Sequence, residues 1–258
     1  MDLIVRAGGL QFFGSGNFSS FGLFIDPDGF EGYDDGVATR SRAVSRENAH
    51  GDYVVPGYLD ARVVSISGWA LTATAREMAD LKRQFNALLA VDYGLVSFNH
   101  LGDEPRWGTA TRAPGVAPKF KVNGRTSTEA SFQIQLKFPD PRFYGDTHTL
   151  AATAGNPVVS INRGNFAATS IITVSGVASG YTITGPGGLT RSIVSPIAVG
   201  NPHVVDMATG YVRNNSGFLE GVSSGSTWAV PAGGTASQTI SSTSGSVSMS
   251  VETKATFI

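Results

Sequence analysis

Gly221-Val222-Ser223-Ser224-Gly225 matches the G-x-S-x-G pattern, which holds a serine nucleophile on a sharp strand-to-helix turn. No helical periodicity follows it, so Ser223 reads as a loop serine in a Ser/Gly-rich stretch. The histidines His50, His100, His148 and His203 lie far apart, without the i, i+4 spacing that sets two zinc ligands on one helix face. Asp26-Pro27-Asp28-Gly29, with Glu31, Asp34 and Asp35 behind it, gathers carboxylates in a turn, which is the chemistry of a hard cation. The spacing departs from an EF-hand loop, and a solvated acidic turn is the default; calcium is the alternative. Neither metal nor cofactor is expected. A glycosidase needs two facing carboxylates, and from residue 151 on the chain offers only Asp206, Glu220 and Glu252. Phe166, Tyr181, Tyr211, Phe218 and Trp228 are of a type that stacks on sugar rings, but most sit in strand patterns that assign them to a core.

Bulk properties exclude more. Net charge is −1, so no overall positive field holds a polyanion or an acidic membrane. The absence of cysteine removes disulfides, thiol catalysis and cysteine-ligated metals. Met1 to Arg6, with acidic Asp2, matches neither a secretory signal nor a transit peptide, and no stretch approaches the ~18 apolar residues of a membrane-spanning helix. The expectation is a protein made in the cytosol that stays soluble unless it is assembled into something. Charged residues are only 15% of the chain while Gly numbers 32, which favours strands and turns over long solvated helices.

Charge divides the chain. Residues 1–150 hold fifteen Lys/Arg and seventeen Asp/Glu, whereas residues 151–258 hold four and three. The shift falls beside Phe138-Pro139-Asp140-Pro141, whose prolines stop a strand, so a first domain is expected over 1–140, a linker over 141–155 and a second domain over 156–258. In the first, Phe132, Ile134, Leu136 and Phe138 alternate with Gln133, Gln135 and Lys137, a half-buried strand. Val64 and Ile66 opposite Ser65 and Ser67 give another, Leu95 to Phe98 a further one, and Lys119 to Val122 before Asn123-Gly124 a hairpin arm. Thr74-Ala75-Arg76-Glu77 is a capping box opening a helix over about 74–91, with Met78, Leu81, Phe85, Leu88 and Leu89 as its apolar stripe, read as packed on the domain's own sheet. In the second, strands are expected at 170–174, 181–184, 203–205, 211–213, 227–230, 238–240 and 247–251, separated by Gly/Pro/Asn turns. The Ser/Thr/Gly-rich stretch 221–250 is read as ordered edge strands because Val, Ile, Met and Trp recur in it.

Several segments in order then carry a family likeness. They are Arg46 to Tyr58 (RENAHGDYVVPGY), the strand Asp60 to Gly68, the capped helix, Asp140-Pro141-Arg142-Phe143-Tyr144, and Gly164-Asn165-Phe166. Ile172 to Gly176, Val204 to Val212 and Trp228 to Gly233 complete the set. Together they resemble the distal tail proteins of long-tailed, non-contractile phages, within the broader phage tail protein family. The resemblance implies a mainly β protein: an N-terminal β-barrel-like or β-sandwich domain with one α-helix, then a C-terminal galectin-like antiparallel β-sandwich. It implies that six N-terminal domains close into a homo-hexameric ring between the tail tube protein and the tail-tip hub, fibre or receptor-binding protein. Tape-measure protein and DNA in transit would pass through the lumen. The implied place is the virion tail tip, made in the host cytoplasm, with no enzyme activity and no membrane insertion. The loop Asp34 to Tyr58, with Arg40, Arg42, Arg46, His50 and Tyr53, is expected at the subunit or tube contact. Galectin-type sugar residues do not map onto the chain, so glycan binding is not inherited from the fold; a carbohydrate-binding module for host attachment is the alternative function.

Overall fold

A computed structural model describes residues 3–14, 20–41, 44–53, 57–100, 103–124, 128–242 and 244–258. The chain forms two compact units, Met1–Phe143 with Ile258, and Tyr144–Phe257. In the first, β1 (Leu3–Ala7), β2 (Leu10–Phe13), β3 (Gly22–Glu31), β4 (Thr39–Arg40), β5 (Val44–Ser45), β6 (Asp52–Tyr53), β7 (Tyr58–Leu59) and β8 (Arg62–Leu71) precede helix α1 (Ala75–Ala87). After it come β9 (Gly94–His100), β10 (Arg106–Arg112), β11 (Lys119–Val122) and β12 (Glu129–Phe138).

Pairing runs β11-β12-β8-β3-β2-β1-β9-β10, and β10 pairs again with β12, so the sheet closes on itself as a barrel. The closing contact is short, Thr111 opposite Lys137 and Arg112 opposite Leu136. Alternation fills the interior: Val64, Ile66, Val96, Phe98, Phe132, Ile134, Leu136 and Phe138 are buried. Each such side chain, fully buried, contributes about 1.5–3 kcal/mol. The acidic turn Asp26 to Gly29 forms a bulge in β3, where the register against β8 shifts between Ile25 and Phe30. Gly68 permits the close approach there, because a Cβ on it would lie 1.9 Å from the Phe24 carbonyl oxygen.

Thr74 caps α1 as a capping box: its hydroxyl accepts from the Glu77 amide at 3.2 Å, and the Glu77 carboxylate accepts from the Thr74 amide at 3.2 Å. Phe85 packs on Phe120 and Phe132, with ring centroids 5.2 and 5.5 Å away, so the apolar stripe faces the barrel of its own unit. The helix ends at Ala87, short of the expected 91, because Leu88 leaves helical geometry and Leu89 takes a φ of 47°. Arg112 of β10 donates to the carbonyls of Leu88, at 2.6 Å, and Asn86, supplying the cation that the last turn lacks.

The second unit holds β13 (Phe143–Thr153), β14 (Val158–Ile161), β15 (Ser170–Val177), β16 (Tyr181–Thr184), β17 (Thr190–Ile193), β18 (His203–Asp206) and β19 (Val212–Asn214). β20 (Gly217–Leu219), β21 (Ser223–Gly225), β22 (Thr235–Ser242) and β23 (Ser246–Phe257) complete it. Two sheets, β13-β23-β15-β18-β19-β20 and β14-β22-β16-β17-β21, share one core that includes Ile172, Val205 and Met249 from the first and Tyr181, Ile183 and Ile240 from the second. The arrangement is an antiparallel β-sandwich.

Three expectations are corrected. Most of 141–155, read as a linker, is strand β13, since Pro139 and Pro141 end one strand without preventing the next. Residues 227–230 form no strand; Val230 makes a lone bridge to Ala168, and Trp228 is buried with its indole N–H donating to Gln238 at 3.2 Å. The serine-rich β22 and β23 are interior strands rather than edges, because their alternate residues Ala236, Gln238, Ile240, Val247, Met249 and Val251 are buried while the serines between them lie on the other face.

Candidate assembly site

The segment between β3 and β8 leaves the barrel as a two-part hairpin arm. Thr39 and Arg40 of β4 pair with Leu59 and Tyr58 of β7, and further out Val44 and Ser45 of β5 pair with Tyr53 and Asp52 of β6. The Arg46 amide donates to the Gly51 carbonyl at 3.2 Å and closes the tip, where Gly51 takes a φ of 84° that favours glycine. Among the described residues, none from Thr39 to Tyr58 is buried. Backbone pairing shapes the described part of the arm, and most of its side chains are left for other contacts.

A buried cation anchors the base. Arg62, the first residue of β8, is 4% exposed. Its Nε donates to the Pro141 carbonyl at 3.2 Å, and its Nη1 donates to the carbonyls of Gly32 at 3.0 Å, Asp35 at 3.1 Å, and Tyr33. The guanidinium also lies over the Phe143 ring, 5.0 Å from its centroid. Burial lowers the Arg62 pKa, while the nearby Tyr33, Asp34 and Asp35 favour its charged form. Burial likewise pushes the Tyr33 hydroxyl up to about 12, with the Arg106 charge opposing. The Gly32 amide donates to the Asp35 carboxylate at 3.0 Å, so the chain leaves the barrel through a fixed turn.

The residues expected at a contact are placed as follows. Arg40 is exposed on β4, Arg46 lies with its guanidinium 5.4 Å from the Tyr53 ring centroid, and His50 is exposed in the tip. Arg42 falls outside the described residues. Arg46 and Tyr53 are thus brought together across the hairpin, while Arg40 sits one pairing unit nearer the barrel. The anchor itself, Arg62, was missed by sequence reasoning, although it shares strand parity with Val64 and Ile66 and so points inward.

The other sequence-marked groups are placed elsewhere. Among the described residues, no three His, Asp or Glu side chains gather in a metal-binding arrangement. Ser223 opens β21 rather than sitting in a loop; its hydroxyl accepts from Arg191 at 2.7 Å and donates to the Gly210 carbonyl at 3.2 Å, a structural cross-link. Tyr181 is buried, and so is Trp228, whereas Tyr211, assigned to the core by its strand pattern, is 66% exposed, and Phe218, which lies in no expected strand, is 72% exposed. The parity of β19 explains this: Val212 faces inward, so its neighbours face out. His203 is buried against Tyr181, with 3.2 Å between its Nδ1 and the tyrosine hydroxyl, and burial lowers its pKa. No described helix is long and apolar enough to cross a membrane.

This architecture, a closed barrel with one capped helix followed by an antiparallel sandwich, matches a solved structure along nearly its whole length. The Dit protein of phage SPP1, described as a paradigm of hub adsorption apparatus in phages infecting Gram-positive hosts, superposes with a TM-score of 0.70 at 12% identity, covering 99% of each chain. The chain has a Dit-like fold. A chain of the phage P2 baseplate in its activated conformation with Ca is looser, with a TM-score of 0.45 at 7% identity, covering 85% of this chain and 87% of that one. No family model matches the sequence, and no curated protein matches it either. The Dit-like fold agrees with the likeness read from the motifs and with a mainly β architecture.

Proposed function

We propose that the chain is a distal tail protein of a long-tailed, non-contractile phage, a structural adaptor at the virion tail tip. Six copies of the region 1–140 close into a ring that joins the tail tube protein to the tail-tip hub, fibre or receptor-binding protein. The ring leaves a channel for tape-measure protein and DNA, and the region 156–258 serves as the docking module. The observation that carries this reading is the likeness to SPP1 Dit over 99% of both chains.

Two further features support it. A heterologous ring needs complementary flanks repeated by rotation, and no concave reactive site. The arm offers such a flank: Val44, Tyr53 and Tyr58 are exposed apolar side chains beside Arg40 and Arg46, on a backbone pinned at its base by Arg62. Formal net charge of −1 avoids gripping DNA in transit. As an adaptor the chain performs no chemistry of its own.

The test is charge reversal of Arg40, Arg42 and Arg46 together, with mass measured by light scattering. Like charges across a contact cost several kcal/mol, so the variant is expected to remain folded and to lose the assembly that the unaltered chain forms. Rings of unchanged mass and stability would remove the arm from the contact.

A further inference from the structure

Tyr211 and Phe218 stand side by side on the outer face of the β19–β20 hairpin, with ring centroids 6.1 Å apart at 73°. They share that face with Arg213, which pairs with Phe218 across the hairpin, while Val212 and Leu219 point the other way. Two large aromatics in water are a cost that needs a reason when they adjoin. Here they form a ridge between two grooves.

One groove, of about 340 Å³, is lined by Ile171, Val204, Asp206, Thr209 and Arg213 together with the two rings. The other, of about 540 Å³, brings Arg191, Glu220 and Ser223 to the opposite flank of the same rings. Both fall in the ~300–1,000 Å³ range of small-ligand sites.

The ridge is rigidly mounted. Asp206 accepts from the Ala208 amide at 2.8 Å and from the Thr209 hydroxyl at 3.0 Å, and the Tyr211 amide donates to the Thr209 hydroxyl at 3.2 Å. Arg191 braces the turn from behind by donating to the Gly210 carbonyl, and the far end of the hairpin is tied down by Asn215, whose side chain donates to the Gly200 carbonyl at 2.9 Å. Pre-organisation of this kind lowers the entropic cost of binding.

We infer that this ridge is a saccharide-binding site, taking an oligosaccharide of neutral sugars laid across Tyr211 and Phe218. A pyranose has an apolar C–H face and a rim of hydroxyls; exposed aromatic rings match the face, and a guanidinium and carboxylates on either side match the rim as donor and acceptors. A docked protein fits less well, since a stable interface covers about 800 Å² per partner and the two rings are flanked by Asp206, Thr209, Arg213 and Glu220. The inference goes beyond the tail-adaptor reading and does not depend on ring formation.

The experiment uses the whole chain with lactose, maltotriose and chitotriose as probes, by saturation-transfer NMR and calorimetry. At least one probe is expected to bind with a Kd below about 1 mM. Phe218→Ala and Tyr211→Ala are each expected to weaken that binding about tenfold or more without lowering the melting temperature, as for residues at the centre of a contact. Val199→Ser, at another exposed apolar position of the same unit, is expected to leave it unchanged. No binding of any probe at about 10 mM, equal binding by Phe218→Ala, or self-association abolished by Phe218→Ala would overturn the inference, the last by assigning the ridge to protein docking. A chain that forms rings without binding sugar sinks only this inference; one that binds sugar and never assembles sinks only the adaptor reading.

Discussion

Replacing Arg62 by methionine tests whether a buried guanidinium holds the base of the arm. Methionine fills much of the same space but leaves the carbonyls of Tyr33 and Pro141, both in buried hydrogen bonds to Arg62, without donors. The carbonyls of Gly32 and Asp35 are only partly buried and gain water instead. Each stranded buried acceptor costs about 1–3 kcal/mol, and removing a buried cation returns part of that through lost desolvation. The net expectation is a loss of about 2–4 kcal/mol from the first unit, a fall in melting temperature of roughly 5–15 °C for a unit of this size. Arg62→Lys keeps the charge but cannot span four carbonyls, so it falls in the same range. Urea unfolding followed by hydrogen–deuterium exchange assigns the loss: amides around residues 30–35 and 59–64 exchange faster while those of the second unit do not. A loss below about 1 kcal/mol in both variants would refute the anchoring role.

Other outcomes follow from the same reasoning. His203 is held neutral by burial, with its pKa lowered from 6.5, so the unfolded chain takes up a proton near pH 6.5 that the folded chain does not. The stability it confers is present above about pH 6.5 and declines as pH falls through and below that value, and His203→Phe flattens this slope in urea melts between pH 8 and 5. A slope unchanged by the substitution would exclude His203 as its source. Asn162 accepts from the amides of Gly164 at 2.9 Å and Thr256 at 3.2 Å and donates to the carbonyls of Phe166 at 2.7 Å and Pro231 at 3.1 Å. Asn162→Ala therefore lowers the stability of the sandwich by about 2–4 kcal/mol in chemical denaturation, and a change under about 1 kcal/mol would show that these groups find other partners.

Much of the fold was readable wherever alternation and burial coincide. β12 could be read residue by residue because Phe132, Ile134, Leu136 and Phe138 fill the barrel while Gln133, Gln135 and Lys137 face out. The capping box announced α1 because its two reciprocal bonds are local. What local sequence hides is long-range pairing. Thr190–Ile193 has a single buried residue and is a strand only because β16 and β21 flank it. β2 and β3 lie parallel, joined at Phe12–Leu23 and Phe13–Phe24, although nothing in either segment states a direction. The site residues divide similarly. Arg46 and Tyr53 are seven apart and meet because a hairpin turns between them. Arg62 looked like an ordinary charge at a strand start, and its acceptors come from residues 32–35 and from Pro141. Tyr211 looked like core because aromatic strand residues usually are, Phe218 fell in no expected strand, and only the pairing register turns both outward.

Electron microscopy of the purified 26.9 kDa chain tests the central claim most directly. Averages with sixfold symmetry around an open centre are the result that a ring-forming adaptor predicts. Isolated monomers at every concentration tried, or assemblies with a closed centre, would contradict it.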